Sequence, residues 1–136
     1  MKKQLFVLLG LGLLVGMSAY AQTVNLKADV PFNFIISGAT LPAGEYTMQE
    51  LETGSAIAVR GPNPKASLFV LSHRCSSTDA AKQSKLVFHR YGDRYFLAQL
   101  WVAGRDSGRQ LPKSPREMEV ARDYTLQDVV LYAALR

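Results

Sequence analysis

The sequence predicts an all-β domain: an antiparallel barrel or sandwich of six to eight strands with one short helix near the C-terminus. Three observations carry that expectation. Leu86–Val102 (LVFHRYGDRYFLAQLWV) sets β-branched and aromatic residues on both sides of Tyr91-Gly92-Asp93-Arg94, the strongest hairpin signal in the chain. Short apolar runs recur between Gly, Pro, Asn and Ser punctuation, at the close spacing of antiparallel strands. Helix-start chemistry is concentrated at Ser114-Pro115-Arg116-Glu117, with Ser at the N-cap, Pro at the first helical position and Glu two residues on. No internal repeat is visible, which argues against a solenoid or propeller.

Residues 1–21 read as a signal peptide. Lys2 and Lys3 precede an apolar run from Leu5 to Met17, and Ala19-Tyr20-Ala21 gives the small-x-small pattern before a cleavage expected between Ala21 and Gln22. The run is short for a spanning helix, which needs about 20 residues. An uncleaved N-terminal anchor is the alternative. Residues 22–136 are then one β-rich domain, exported to the periplasm or secreted. Losing Lys2 and Lys3 takes the formal charge from +5 to +3, which is only mildly basic. Cys75 is the sole cysteine, so no internal disulfide can form. A buried thiol or a bond between two chains remains open to it.

The mature chain begins with two extended pieces in Val24–Ser37, broken near Asp29 and Pro31 because proline cannot donate to a ladder. Pro42 and Gly44 mark a tight turn. Glu45–Glu52 and Ala56–Arg60 are strands around a Thr53-Gly54-Ser55 turn, and Gly61-Pro62-Asn63-Pro64 is a loop. Ser67–Cys75 reads as one long strand, and the small, polar Ser76–Gln83 as the stretch expected to be mobile. Around Gly92-Asp93, Phe88 faces Leu97, His89 faces Phe96 and Arg90 faces Tyr95. One face then carries Leu86, Phe88, Arg90, Tyr95, Leu97, Gln99 and Trp101. The other carries Val87, His89, Tyr91, Arg94, Phe96, Ala98, Leu100 and Val102. Neither is polar throughout, so one face belongs in the core and the other is partly covered, by a helix or by a partner. Pro115 to about Asp123 is the helix, with Met118, Val120, Ala121, Tyr124 and Thr125 as its apolar stripe. Gln127–Leu135 is read as a last strand, with a second helix as its rival.

Three segments carry a resemblance: VPFNFIISGATLPAGEYTM, LVFHRYGDRYFLAQLWVAG and GRQLPKSPREMEVAR. Across them the chain resembles a group of small, uncharacterised exported bacterial proteins. The resemblance implies export and a compact β-rich domain. It carries over no activity, ligand or catalytic residue.

Candidate chemistry is sparse. His73 and Cys75 share a strand face, and His89 would join them as a third metal ligand if its strand were the neighbour. A fourth ligand is missing, so no metal or cofactor is expected. No G-x-S-x-G elbow, phosphate loop or dinucleotide fingerprint is present. Glu45, Glu50 and Glu52 lie on one strand, where adjacent glutamates read as solvated charges and not as a glycosidase pair. The expectation is therefore no catalytic residue and no enzyme. Mild charge and the absence of a recognisable module argue against nucleic acid. The hairpin is the candidate surface for a partner or cell-envelope component, through His89, Arg90, Tyr91, Arg94, Phe96 and Trp101, with a homodimer as one form of partnership. The alternative is a carrier whose β-barrel pocket holds a small apolar ligand.

Overall fold

The structure, a computed structural model, describes residues 25–51 and 55–135. The expected leader and its cleavage site lie outside these residues. Among the described residues there are twelve strands: β1 Asn25–Val30, β2 Phe34–Ile36, β3 Ala39–Leu41, β4 Gly44–Glu50, β5 Ala56–Arg60, β6 Leu68–Leu71, β7 His73–Ser76, β8 Lys85–Tyr91, β9 Arg94–Trp101, β10 Ser107–Gln110, β11 Leu126–Tyr132 and β12 Ala134–Leu135. A 3-10 turn at Pro64–Ala66 precedes β6, and the helix α1 spans Pro115–Val120. No helix among the described residues is long and apolar enough to cross a membrane.

The strands form two packed sheets. One runs β12-β1-β4-β5-β6 and the other β11-β8-β9-β10-β7. The all-β expectation holds, and of its two forms the sandwich is the one observed. Two strands are each cut at a corner where they change sheets, β6 into β7 at Ser72 and β11 into β12 at Ala133. Such bends are how sandwiches turn their corners. Both corners are tied down: Ser72 N–H donates to the Ser55 carbonyl at 2.8 Å, and Ala133 N–H to the Ser84 carbonyl at 2.8 Å. The long strand read across Ser67–Cys75 is thus one path in two sheets, and Gln127–Leu135 is strand on both sides of the Ala133 corner.

A small hairpin was not anticipated. β2 and β3 turn at Ser37-Gly38, both with positive φ (48° and 86°), as a two-residue turn of the mirror-image kind requires. β2 then lies parallel to β9 through Ile35 and Phe96, where β10, which reaches only Gln99–Trp101, leaves the ladder open. The Ser76–Gln83 stretch is also better held than its composition suggests. Ser77 N–H donates to the Asp106 carbonyl, Ala81 N–H to Arg105, and Gly104 N–H back to Ala81.

Alternation fills the space between the sheets. Leu26, Ala28 and Val30 of β1, Tyr46 and Met48 of β4, and Ile57 and Val59 of β5 face Leu86, Phe88, Leu97 and Leu100. Phe34 sits edge-on to both Tyr46 and Phe88, at ring separations of 4.9 and 5.5 Å, and joins the two layers. A second, smaller core lies on the far side of the hairpin, where Ile35 and Val120 cover Tyr91 and Phe96. The hairpin therefore has two packed faces, and the cover at that end comes from the chain itself.

Candidate functional site

The central hairpin turns as expected. Gly92, at φ 63°, takes the first position of a two-residue loop, and the pairs Phe88–Leu97, His89–Phe96 and Arg90–Tyr95 are in register. Past that point the register slips. Val87 pairs with Gln99, so Ala98 is an unpaired bulge residue. One extra residue moves every later side chain to the other face. Leu100 and Val102 thus join Leu86 and Phe88 in the main core, while Gln99 and Trp101 stand with Val87 outside it. The faces read from strict alternation are wrong beyond Ala98.

The six residues of the candidate surface do not form one open patch. Tyr91, Phe96 and Trp101 are buried. His89 is mostly covered, and its Nδ1 lies 2.9 Å from Glu117 Oε2. Arg90 donates from Nε to the Gly92 carbonyl and lies over the Tyr95 ring. Arg94 is exposed at the turn.

Ser114 and Glu117 have the spacing of a capping box, and half of that box exists. Ser114 Oγ accepts from Glu117 N–H at 3.2 Å. The Glu117 side chain goes inward instead, only 4% exposed, and Oε2 also accepts from the Tyr91 hydroxyl at 3.0 Å. Burial, the hydrogen bond and the charge of Glu117 push the Tyr91 hydroxyl up to about 12. The inner face of α1 is thus Glu117 and Val120, while Met118 and Tyr124, placed in the stripe by spacing, are exposed. Sealed by Ile35 and Phe96, this cluster clamps the helix to the hairpin.

His73 and Cys75 do share β7, but β7 pairs with β10, and both β10 and β9 separate it from β8 and His89. The three do not converge, and no group of His, Cys, Asp and Glu fit for a metal occurs among the described residues. Cys75 is half-buried, and burial raises its thiol above the ordinary value, with a Gly108 backbone hydrogen bond and Arg109 acting the other way.

The feature that composition concealed lies between the sheets. Cross-strand partners share a face, so the row Leu86–Leu100–Arg109–Arg74 runs along the inner side of its sheet. The row begins in the core and ends in two arginines. Opposite it, Val70–Ile57–Glu50 forms the matching inner row. A cleft of about 460 Å³ opens there, with Leu26, Met48, Ile57 and Leu100 as its floor and Arg74, Arg105, Arg109 and Glu50 around its mouth. Arg109 is anchored, donating from Nε and Nη2 to Ser72 Oγ and carbonyl, both at 2.9 Å. Arg105 lies 3.8 Å from Glu50. Two further hollows are present: a groove of about 720 Å³ over Val87, Trp101, Val130 and Tyr132, and a niche of about 210 Å³ beside Phe69 and Leu71.

From the sequence Arg105 and Arg109 read as scattered solubilising charge and Arg74 does not stand out, because the inner position of Arg74 and Arg109 follows only from the register with Leu100. The signal that finds them is parity counted back from Leu100 through the Gly104 turn. Comparison of the chain with family models, with curated proteins and with solved structures found no match.

Proposed function

We propose that this protein is a non-enzymatic, exported binding domain that holds a small apolar ligand in the cleft between its two sheets. The observation that carries the reading is the cleft itself, which opens at one end of the sandwich and ends on buried core side chains. Its volume of about 460 Å³ lies within the range of ligand pockets, about 300–1,000 Å³. Export is part of the proposal and rests on the leader read in residues 1–21.

The test is a neutral ligand series. Protein from the full chain, exported by its own leader and stripped of lipid, is titrated with decanol and dodecanol. Two added methylenes should tighten binding roughly tenfold, and Met48→Trp, which fills the floor, should abolish it while the fold persists by circular dichroism. No saturable binding of either alcohol overturns the proposal.

A second reading keeps a specific observation of its own. Val130 and Tyr132 are exposed along β11, above the outer groove with Val87 and Trp101. This apolar strip on the hairpin's outer face supports docking of a partner or envelope component. Light scattering of the native protein and of Tyr132→Lys tests it: a dimer lost in the variant supports it, and a monomer with no retained envelope partner in either form counts against it.

A further inference from the structure

We infer that the ligand of the inter-sheet cleft is a single-chain amphiphile with an anionic head, its chain on the Met48–Ile57 floor and its head at Arg74, beside Arg105 and Arg109. The inference rests on the cleft being a ligand site and names the chemistry it accepts. Inner-face positions of a sandwich are ordinarily apolar, yet Arg74 and Arg109 occupy two such positions directly opposite each other in the ladder. Like charges placed so are destabilising, and an anion between them removes that repulsion. The charges nearby do not. Among the described residues Glu50 is the one carboxylate lining the mouth against three guanidiniums, and at 3.8 Å from Arg105 it is too far for a close hydrogen bond.

The three arginines differ in what they have left to give. Arg109 has spent two donors on Ser72 and braces the corner. Arg105 has its loose contact with Glu50. Arg74 has no ion pair or side-chain hydrogen bond among the described residues. A guanidinium with a free fork matches a carboxylate or phosphate with two parallel hydrogen bonds. An apolar floor beneath such a fork selects a chain joined to that head. A fatty acid and a monoalkyl phosphate share this chemistry.

The experiment compares three twelve-carbon probes below their micelle concentrations: dodecanoate, dodecyl phosphate and dodecanol, titrated into the lipid-stripped protein and into Arg74→Gln and Glu50→Gln. Both anions should bind at least tenfold tighter than dodecanol. Arg74→Gln should remove most of that advantage and leave dodecanol unchanged, and Glu50→Gln should tighten the anions several-fold. The tighter of the two anions identifies the head as carboxylate or phosphate. Equal affinity for anions and dodecanol overturns the anionic head but leaves the apolar site standing. Loss of all three probes alike in folded Arg74→Gln overturns the head assignment as well. If no probe binds the wild-type protein, both the site and its ligand class fall.

Discussion

The Tyr91 hydroxyl donates to Glu117 Oε2 at 3.0 Å, joining the middle of the central hairpin to the first turn of a helix 26 residues later. The same oxygen lies 2.9 Å from His89 Nδ1. One buried carboxylate therefore fixes where the only helix among the described residues sits. Glu117→Ala leaves the Tyr91 hydroxyl buried without an acceptor, and hydrogen bonds to charged groups contribute about 1.5–3 kcal/mol each. A loss of about 2–4 kcal/mol in urea unfolding is expected, with Glu117→Gln milder. A loss under half a kilocalorie would show that α1 is held by Val120 alone.

Tyr91 also sets an alkaline limit. Its hydroxyl is raised from 10 to about 12, so the folded state keeps a proton that the unfolded state releases. The associated stability is fully present below pH 10 and is lost as pH rises through about 12. Tyr91→Phe should flatten that decline, and the 295 nm phenolate signal should lose its last-titrating component. Unchanged alkaline unfolding in the variant would contradict the assignment.

Arg109 and Arg74 face each other in register but should respond differently to substitution. Arg109→Met breaks both bonds to Ser72, whose side chain is buried at the β6–β7 corner. The expected cost is about 1–3 kcal/mol of stability, with binding of neutral and anionic probes weakened together as the cleft wall loosens. Arg74→Gln should leave thermal unfolding within a degree or two. Equal destabilisation by both would show that the pair is structural.

Gly108 lies against the bulged strand. A Cβ added there would stand 2.6 Å from the Leu100 carbonyl oxygen and 2.8 Å from the Trp101 ring. Gly108→Ala should therefore destabilise by about 1–3 kcal/mol, the range for overpacking, and shift the Trp101 fluorescence. An unaltered emission spectrum would place the ring elsewhere.

Much of the fold was legible because local chemistry and tertiary packing agree. Gly92 forces a turn that only one register satisfies, and the Ser114-Pro115 start announces α1. The rest was hidden for identifiable reasons. Ala98 is a bulge residue with no side-chain signature, and its slip sends Trp101 outward and Leu100 inward. Glu117 fits an exposed capping box on spacing alone, and only the packed helix shows its carboxylate beneath Tyr91. Arg109 reads as a solubilising charge until the Leu100 register places it, with the exposed Arg74 beside it, on the cleft side of the sheet. Of the candidate surface, Tyr91 and Phe96 lie in a second packed cluster that Ile35 and Val120 of this chain cover.

The most direct measurement of the central claim is a methyl-resolved NMR titration of the lipid-stripped protein with dodecanoate. The account predicts saturable shifts of the Met48 ε-methyl and the Ile57 and Leu100 methyls, with Val87 and Val130 of the outer groove unmoved. Shifts confined to Val87 and Val130, or none at saturating probe, would contradict a ligand site between the sheets.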